Sequence, residues 1–204
     1  MNDLLLLIIS SPSGAGKTTL TRNLLDHFPE LGFSVSYTTR KPRSHEVDGQ
    51  DYRFVDPGEF QRMIDGNEFA EWAQVHGYLY GTSLAEIARC SGAGKRGIVF
   101  DIDYQGARQI RAARPDAVSV FVLPPSMPEL KRRLRDRASD DAATIERRFR
   151  NAAREVEYYG LFDYLVVNDD LEAAKQTLRS IVTAEQARRW RMAARAERLL
   201  QTAS

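Results

Sequence analysis

Ten residues, Ser10 to Thr19, read SSPSGAGKTT and follow an unbroken aliphatic run from Leu4 to Ile9. The run has the texture of a strand buried on both faces. The apolar positions after the loop (Leu20, Leu24 and Leu25) recur at helical spacing. A small-residue loop between a strand and a helix constrains the fold strongly, because it suits an anion. Gly14 and Gly16 let the chain turn its backbone N–H groups inward, and the helix adds the partial positive charge of its N-terminus. Lys17 would supply a full charge to the β- and γ-phosphates of a nucleotide, and the Thr18 hydroxyl a ligand to Mg²⁺. The string departs from G-x-x-x-x-G-K-[ST] only at its first letter, where Ser11 stands for glycine. The plain alternative is a glycine-rich turn with an exposed lysine, and the flanking strand and helix patterns argue against it.

A chain of 204 residues suffices for one sizeable core with small appendages. Its net charge of +1 creates no overall field that would favour nucleic acid or a membrane surface. A single cysteine, Cys90, rules out an internal disulfide framework and fits a reducing cytosol. The Leu4–Ile9 run is too short to span a bilayer, and Asp3 precedes it with no basic residue. These features together predict a cytoplasmic protein.

Apolar runs recur at Leu4–Ile9, Gly97–Phe100, Val118–Leu123 and Tyr164–Val167. Helical patterns follow them at Lys17–Phe28, Gln105–Ala113, Pro128–Asp136 and from Leu171 onward. Strands alternating with helices predict an α/β fold with a parallel sheet flanked by helices. Ligands in such sheets sit at the carboxyl ends of the strands, where Ser11–Thr18, Asp101–Gln105, Pro124–Ser126 and Asn168–Asp170 would gather. Between 35 and 94 the texture changes to short alternating segments such as Tyr52–Val55 and Phe69–Val75, which predict an inserted, partly antiparallel subdomain. Residues 133–157 read as a helical hairpin projecting from the sheet. The expected division is therefore a core of 1–34, 95–132 and 158–204, a subdomain of 35–94 and a lid of 133–157. The terminal AEQARRWRMAARAERLLQ predicts one amphipathic helix, packed on the core by Trp190 and Leu199.

A second anion site is suggested inside the insertion. Arg40 and Arg43 lie three apart in SYTTRKPR, with Tyr52 in DYRF and Tyr80 in YGTS. Guanidinium forks match phosphate oxygens, and phenols can complete the shell. Two phosphate sites in one small domain suggest transfer between them.

In order along the chain, SPSGAGKTTL, FSVSYTTRKPR, GQDYRFV, EFAEWAQVHGYLYGTS, FDIDYQGA, FVLPPS and YLVVNDDL closely resemble guanylate kinase, over about residues 4 to 182. The resemblance implies a P-loop kinase core, a GMP-binding subdomain, a helical lid and ATP-dependent phosphorylation of GMP. Its partners would be ATP and GMP, with dGMP a further acceptor and Mg²⁺ the cofactor; homo-oligomerisation stays open. It assigns the GMP phosphate to Arg40, Arg43, Tyr52 and Tyr80, and the guanine to Ser36, Glu71, Thr82 and Asp103. A carboxylate at Glu71 can accept from guanine N1–H and N2–H together, whereas adenine presents an acceptor at N1. Asp103 reads equally as a helix N-cap. On the ATP side the resemblance assigns Ser11, Pro12, Ser13, Gly14, Ala15, Gly16, Lys17, Thr18 and Thr19, with the lid arginines Arg133 and Arg137. Arg148 would reach the transferring phosphoryl group, so Lys17, Arg137 and Arg148 are the catalytic candidates. Asn168 matches a position near the adenine, or caps a helix. Asp101 would join Thr18 at the metal, or brace an arginine.

The lid stretch RDRASDDAATIERRF departs from the family's usual glycine-containing lid. Arg132, Arg135 and Arg147 read better as surface pairs. His27, His45 and His76 form no cluster, and a reaction whose acceptor is already an anionic phosphate needs no general base. Two rivals remain: a scaffold domain of guanylate-kinase shape that binds phosphopeptides, and a P-loop kinase for another phosphorylated acceptor such as a ribose bisphosphate. The intact loop argues against the first, and the guanine-facing set against the second.

Overall fold

A computed structural model describes residues 4–44, 46–75, 77–136 and 142–201. The aliphatic run forms strand β1 (Leu5–Ser10), buried at all six positions. It lies in the middle of a parallel sheet, where both faces need covering. Helix α1 (Lys17–His27) follows the loop, and β2 (Leu31–Phe33) returns to the sheet edge. β7 (Gly97–Asp101), β8 (Val118–Leu123) and β9 (Tyr164–Val167) complete it, once the insertion's β3 to β6 are counted. The order is β2-β7-β1-β8-β9. Register pairs Ile9 with Asp101 and Ser10 with Phe121, so the loop after β1 opens beside the end of β7.

Alternation of side chains along β1 divides the core in two. Leu5, Leu7 and Ile9 pack with Leu20 and Leu24 of α1 and with Leu178 and Val182 of α7 (Leu171–Gln186). Leu4, Leu6 and Ile8 face the other way, with Phe100, Ile110 of α4 (Tyr104–Ala113) and Cys90 of α3 (Leu84–Gly92). Truncating a fully buried leucine such as Leu178 would cost about 2–5 kcal/mol.

The insertion carries a second sheet of β3 (Tyr37–Thr38), β4 (Arg53–Phe54), β5 (Phe69–Val75) and β6 (Tyr78–Ser83), in the order β4-β3-β6-β5. β6 runs antiparallel to both β3 and β5, while β3 and β4 are parallel. Helix α2 (Pro57–Asp65) is started by Asp56, whose carboxylate accepts from Glu59 N–H, and by Pro57. The segment expected to form a lid includes the end of α5 (Met127–Asp136) and α6 (Ala142–Val156). Leu130 and Leu134 of α5 meet Ala152 of α6, and Lys131 pairs with Glu146 at 2.5 Å.

Three features differ from the sequence reading. β2, only three residues long, carries too little pattern to stand out. The terminal stretch is not one helix: α7 ends at Gln186 and α8 (Arg189–Gln201) begins after a break at Ala187–Arg188. Its anchor differs in part: Trp190 is half-buried, stacked 3.9 Å from the Arg191 guanidinium. Leu199 is 67 % exposed, whereas Arg191 is buried and donates to the carbonyls of Leu4 and Asp116 at 3.0 and 3.4 Å. Among the described residues no helix is long and apolar enough to cross a membrane.

Candidate active site

Gly14 and Gly16 have φ of 96° and 98°, the left-handed region where a side chain is strained. Space is short as well: a Cβ on Gly16 would lie 2.2 Å from the Asn168 amide nitrogen. The turn closes through Ala15 N–H to the Pro12 carbonyl at 3.1 Å. Asn168, buried beneath the loop, donates from its amide to the Ala15 carbonyl at 2.7 Å. The cap of α7 is Asp170, which accepts from Ala173 N–H, so Asn168 braces the loop instead.

Lys17 forms an ion pair with Asp101 and donates to the Ile102 carbonyl at 3.2 Å. Among the described residues Asp101 therefore braces the loop lysine and pairs with no arginine. Thr18 and Thr19 lie exposed in the first turn of α1. The hydroxyl and the carboxylate oxygens are hard donors of the kind Mg²⁺ takes. Among the described residues no group of three His, Cys, Asp or Glu forms a separate metal cluster; His45 and His76 lie outside those residues.

Residues of α5 and α6 reach the same loop. Arg148 donates to the Ser13 hydroxyl at 3.1 Å, and the Ser13 N–H donates to Glu155 Oε2, also at 3.1 Å. Arg133 is held by Glu129 at 2.9 Å and donates to the Asn168 carbonyl at 3.1 Å, beside the loop's brace. Arg137 lies outside the described residues. Arg132 pairs with Glu129 and Asp136, the surface pairing its spacing suggests.

Across the cleft, Arg40 donates to the Tyr80 hydroxyl at 3.2 Å and to Glu46 at 2.8 Å, with its guanidinium 5.4 Å from the Tyr52 ring centre. Burial would raise the Glu46 carboxyl, but the hydrogen bonds from Arg40 and the Arg43 backbone hold it below its ordinary range. Burial pushes the Tyr52 phenol upward. Arg43 is brought in less completely: its N–H donates to Glu46 at 2.7 Å, while its guanidinium is 62 % exposed and 3.5 Å from Glu46.

Next to this basket lie the four base-facing candidates. Ser36 and Thr82 are buried, with hydroxyl oxygens 3.4 Å apart. Glu71 pairs with Thr82 across the β5–β6 ladder, just after a register irregularity. Only 4 % exposed, its carboxyl is driven up to about 7, chiefly by burial, with Asp103 adding to the rise and Thr82 opposing it. Asp103 is indeed the N-cap of α4, accepting from Gln105 and Gly106 N–H. Gly106 was not among the candidates, yet a Cβ there would stand 2.4 Å from Glu71 Oε2. A glycine inside a helical pattern was the available signal. Glu46 and Glu155 were missed too, and a carboxylate beside arginines in a polar stretch gives no distinguishing mark.

One cavity of about 220 Å³ is lined by Ser13, Lys17 and Asp101 from the loop side and by Ser36, Tyr52, Glu71, Tyr80 and Asp103 from the other. A larger one, about 690 Å³, lies among Lys95, Arg96, Arg195 and Arg198 at the opposite ends of the strands. It touches neither anion site.

A parallel sheet ending in a phosphate loop, with a second anion basket opening into the same cavity, defines the class of P-loop phosphotransferases. The guanylate kinase family model matches residues 4–185. The guanylate kinase of Myxococcus xanthus is 52 % identical over 191 residues, covering 92 % of this chain and 90 % of that protein. That of Geobacter sulfurreducens is 51 % identical over 183 residues, covering 90 % of each. The crystal structure of guanylate kinase from Anaplasma phagocytophilum superposes with a TM-score of 0.74 at 33 % identity, over 91 % of this chain and 87 % of that one. The chain belongs to the guanylate kinase family.

Proposed function

We infer that this chain transfers the γ-phosphoryl group of ATP to GMP, giving ADP and GDP. The observation that carries this reading is the cavity in which the Lys17 loop faces Ser36, Glu71 and Tyr80. A phosphate oxygen of GMP attacks the γ-phosphorus, the bond to the β-phosphate bridging oxygen breaks, and ADP leaves. The nucleophile is already anionic, so the protein's task is to position two polyanions and neutralise their charge.

Residues Ser11 to Thr19 cradle the ATP phosphates, with Lys17 on the β- and γ-groups and Asn168 fixing the loop through Ala15. Arg133, Arg137 and Arg148 bring charge from the lid side; Arg148, already at the loop's Ser13, is placed for the group in transit. Arg40, Tyr52 and Tyr80 hold the GMP phosphate, with Arg43 swinging in from its exposed position. Ser36 and Thr82 donate to guanine O6, Glu71 accepts from N1–H and N2–H, and Asp103 lines the same pocket. Thr18 and Asp101 would hold Mg²⁺, which neutralises phosphate charge when bound. Segments 35–94 and 133–157 act as the two pieces that close over the core and exclude water.

The test is ADP release with ATP and Mg²⁺ against a panel of nucleoside monophosphates. GMP, and dGMP after it, should support turnover far above AMP, CMP and UMP. Equal rates with all acceptors would contradict the reading.

A further inference from the structure

The phosphate loop has a contact that the transfer chemistry does not require. Ser13 offers its N–H to Glu155, 142 residues away in sequence, and its hydroxyl accepts from Arg148. Both partners belong to α6, seven residues apart, which is two helical turns and hence one face. One loop residue is thus gripped by a cation and an anion from the same helix.

Inward-facing N–H groups of such a loop are the donors that hold phosphate oxygens. We propose that Glu155 is a positioning residue that stands in for a phosphate oxygen on Ser13 and must yield that place when ATP binds. The proposal rests on the reading that this loop takes ATP. Glu155 lines the cavity together with Glu71, Asp101 and Asp103, so three further carboxylates already share the space. Lys17, the nearby cation, is paired with Asp101. Burial, with Asp103 adding to it, raises the Glu155 carboxyl, while the Ser13 N–H and Lys17 oppose the rise. A triphosphate arriving on the loop repels Glu155 and attracts Arg148, so the two ends of one helix face are driven in opposite senses. The grip on Ser13 then changes from carboxylate to guanidinium, and α6 turns toward the phosphates only when ATP is present. GMP alone, held by the opposite wall, leaves the Glu155 contact in place.

Two variants of the full chain test this. Glu155→Gln keeps the length and a carbonyl oxygen for Ser13 N–H but removes the charge. Glu155→Asp keeps the charge but withdraws it by one methylene. Calorimetric titration with a non-hydrolysable ATP analogue and Mg²⁺, and separately with GMP, gives the readout. Glu155→Gln should bind the analogue roughly 3- to 30-fold more tightly, with GMP affinity within about twofold of the parent. A merely structural role would not tighten one ligand selectively. Unchanged or weaker analogue binding by folded Glu155→Gln, beside normal binding by the parent, overturns the proposal alone. A parent chain that binds no analogue overturns the ATP reading as well. If Glu155→Gln fails to fold, hydrogen exchange of the Ser13 amide decides. It should be faster in unliganded Glu155→Asp than in the parent and equal in both once the analogue is bound; equal rates without ligand overturn the proposal.

Discussion

The phosphate loop and the arginine basket opposite it, the two anion sites proposed above, are built from opposite materials. In residues 10–19 the donors are backbone N–H groups, arranged by two left-handed glycines and the start of α1. In the basket they are side chains, Arg40 and Tyr80 above all, collected from loop segments and strand β6. Each site also holds a carboxylate. Glu46 lies six residues from Arg40 and ties only its own loop. Glu155 lies 142 residues from Ser13 and ties α6 to the loop. A backbone site is fixed by chain geometry and cannot be tuned one side chain at a time. A side-chain site can be tuned in that way, but it needs a nearby counter-charge to keep its guanidinium in place.

The difference can be broken most severely at Lys17, the loop's only full charge. Lys17→Ala should lose roughly 3–5 kcal/mol of transition-state stabilisation while the chain stays folded. Steady-state kcat, with circular dichroism to check the fold, measures it; near-parental turnover would leave the loop without its assigned role. In the basket the loss should depend on position. Arg40→Lys removes a fork already aligned on Tyr80 and Glu46, and hydrogen bonds to charged groups are worth about 1.5–3 kcal/mol, so KM for GMP should rise roughly 10- to 150-fold. Arg43→Lys replaces an exposed guanidinium and should raise it less than about fivefold. Equal effects would mean that Arg43 closes fully onto the phosphate.

A smaller effect sharpens the comparison on the base-reading side. Because the Glu71 carboxyl is driven to about 7 in the fold, above its ordinary value, the folded chain holds that proton more tightly than the unfolded one. Its contribution to stability is thus fully present below about pH 4.5 and is lost as pH rises through 7. Fully ionised, the buried carboxylate costs on the order of 3 kcal/mol, so Glu71→Gln should stabilise the ligand-free chain by about 1–3 kcal/mol at pH 8. Urea denaturation at pH 8 and pH 4.5 checks the sign: the gain should vanish at the lower pH. Smallest of all is the change in shape. Scattering from the chain with GMP and an ATP analogue should give a smaller radius of gyration than with neither, and an unchanged profile would count against closure.

The two sites were not equally legible. The loop is contiguous, and its strand and helix announce themselves by burial on both faces and by helical spacing, so β1, the loop and α1 follow directly from the residues. β8, β9 and β5 likewise fall on the segments read as strands. In the basket the residue types alone suggest a second anion site, but nothing local says that Arg40, Tyr52 and Tyr80 converge, and only the resemblance assigns them to one phosphate. Short β2 escaped notice, as did the break at Ala187–Arg188, which no glycine or proline marks. Arg191 carries no local sign of burial, yet two backbone carbonyls make it worth burying. Carboxylates such as Glu46 and Glu155 act through partners that only the fold brings near.

If one wall reads guanine while the other holds ATP, Glu71→Gln separates the two. The substitution keeps the shape but sets an amine where an acceptor stood, leaving a guanine donor unsatisfied at about 1–3 kcal/mol. Turnover of the variant with GMP and AMP, at saturating and limiting ATP, is the measurement. The account predicts that kcat/KM for GMP falls roughly 5- to 150-fold, that KM for ATP hardly moves, and that AMP loses less or gains. A variant that loses GMP and AMP equally, or keeps GMP intact, would contradict it.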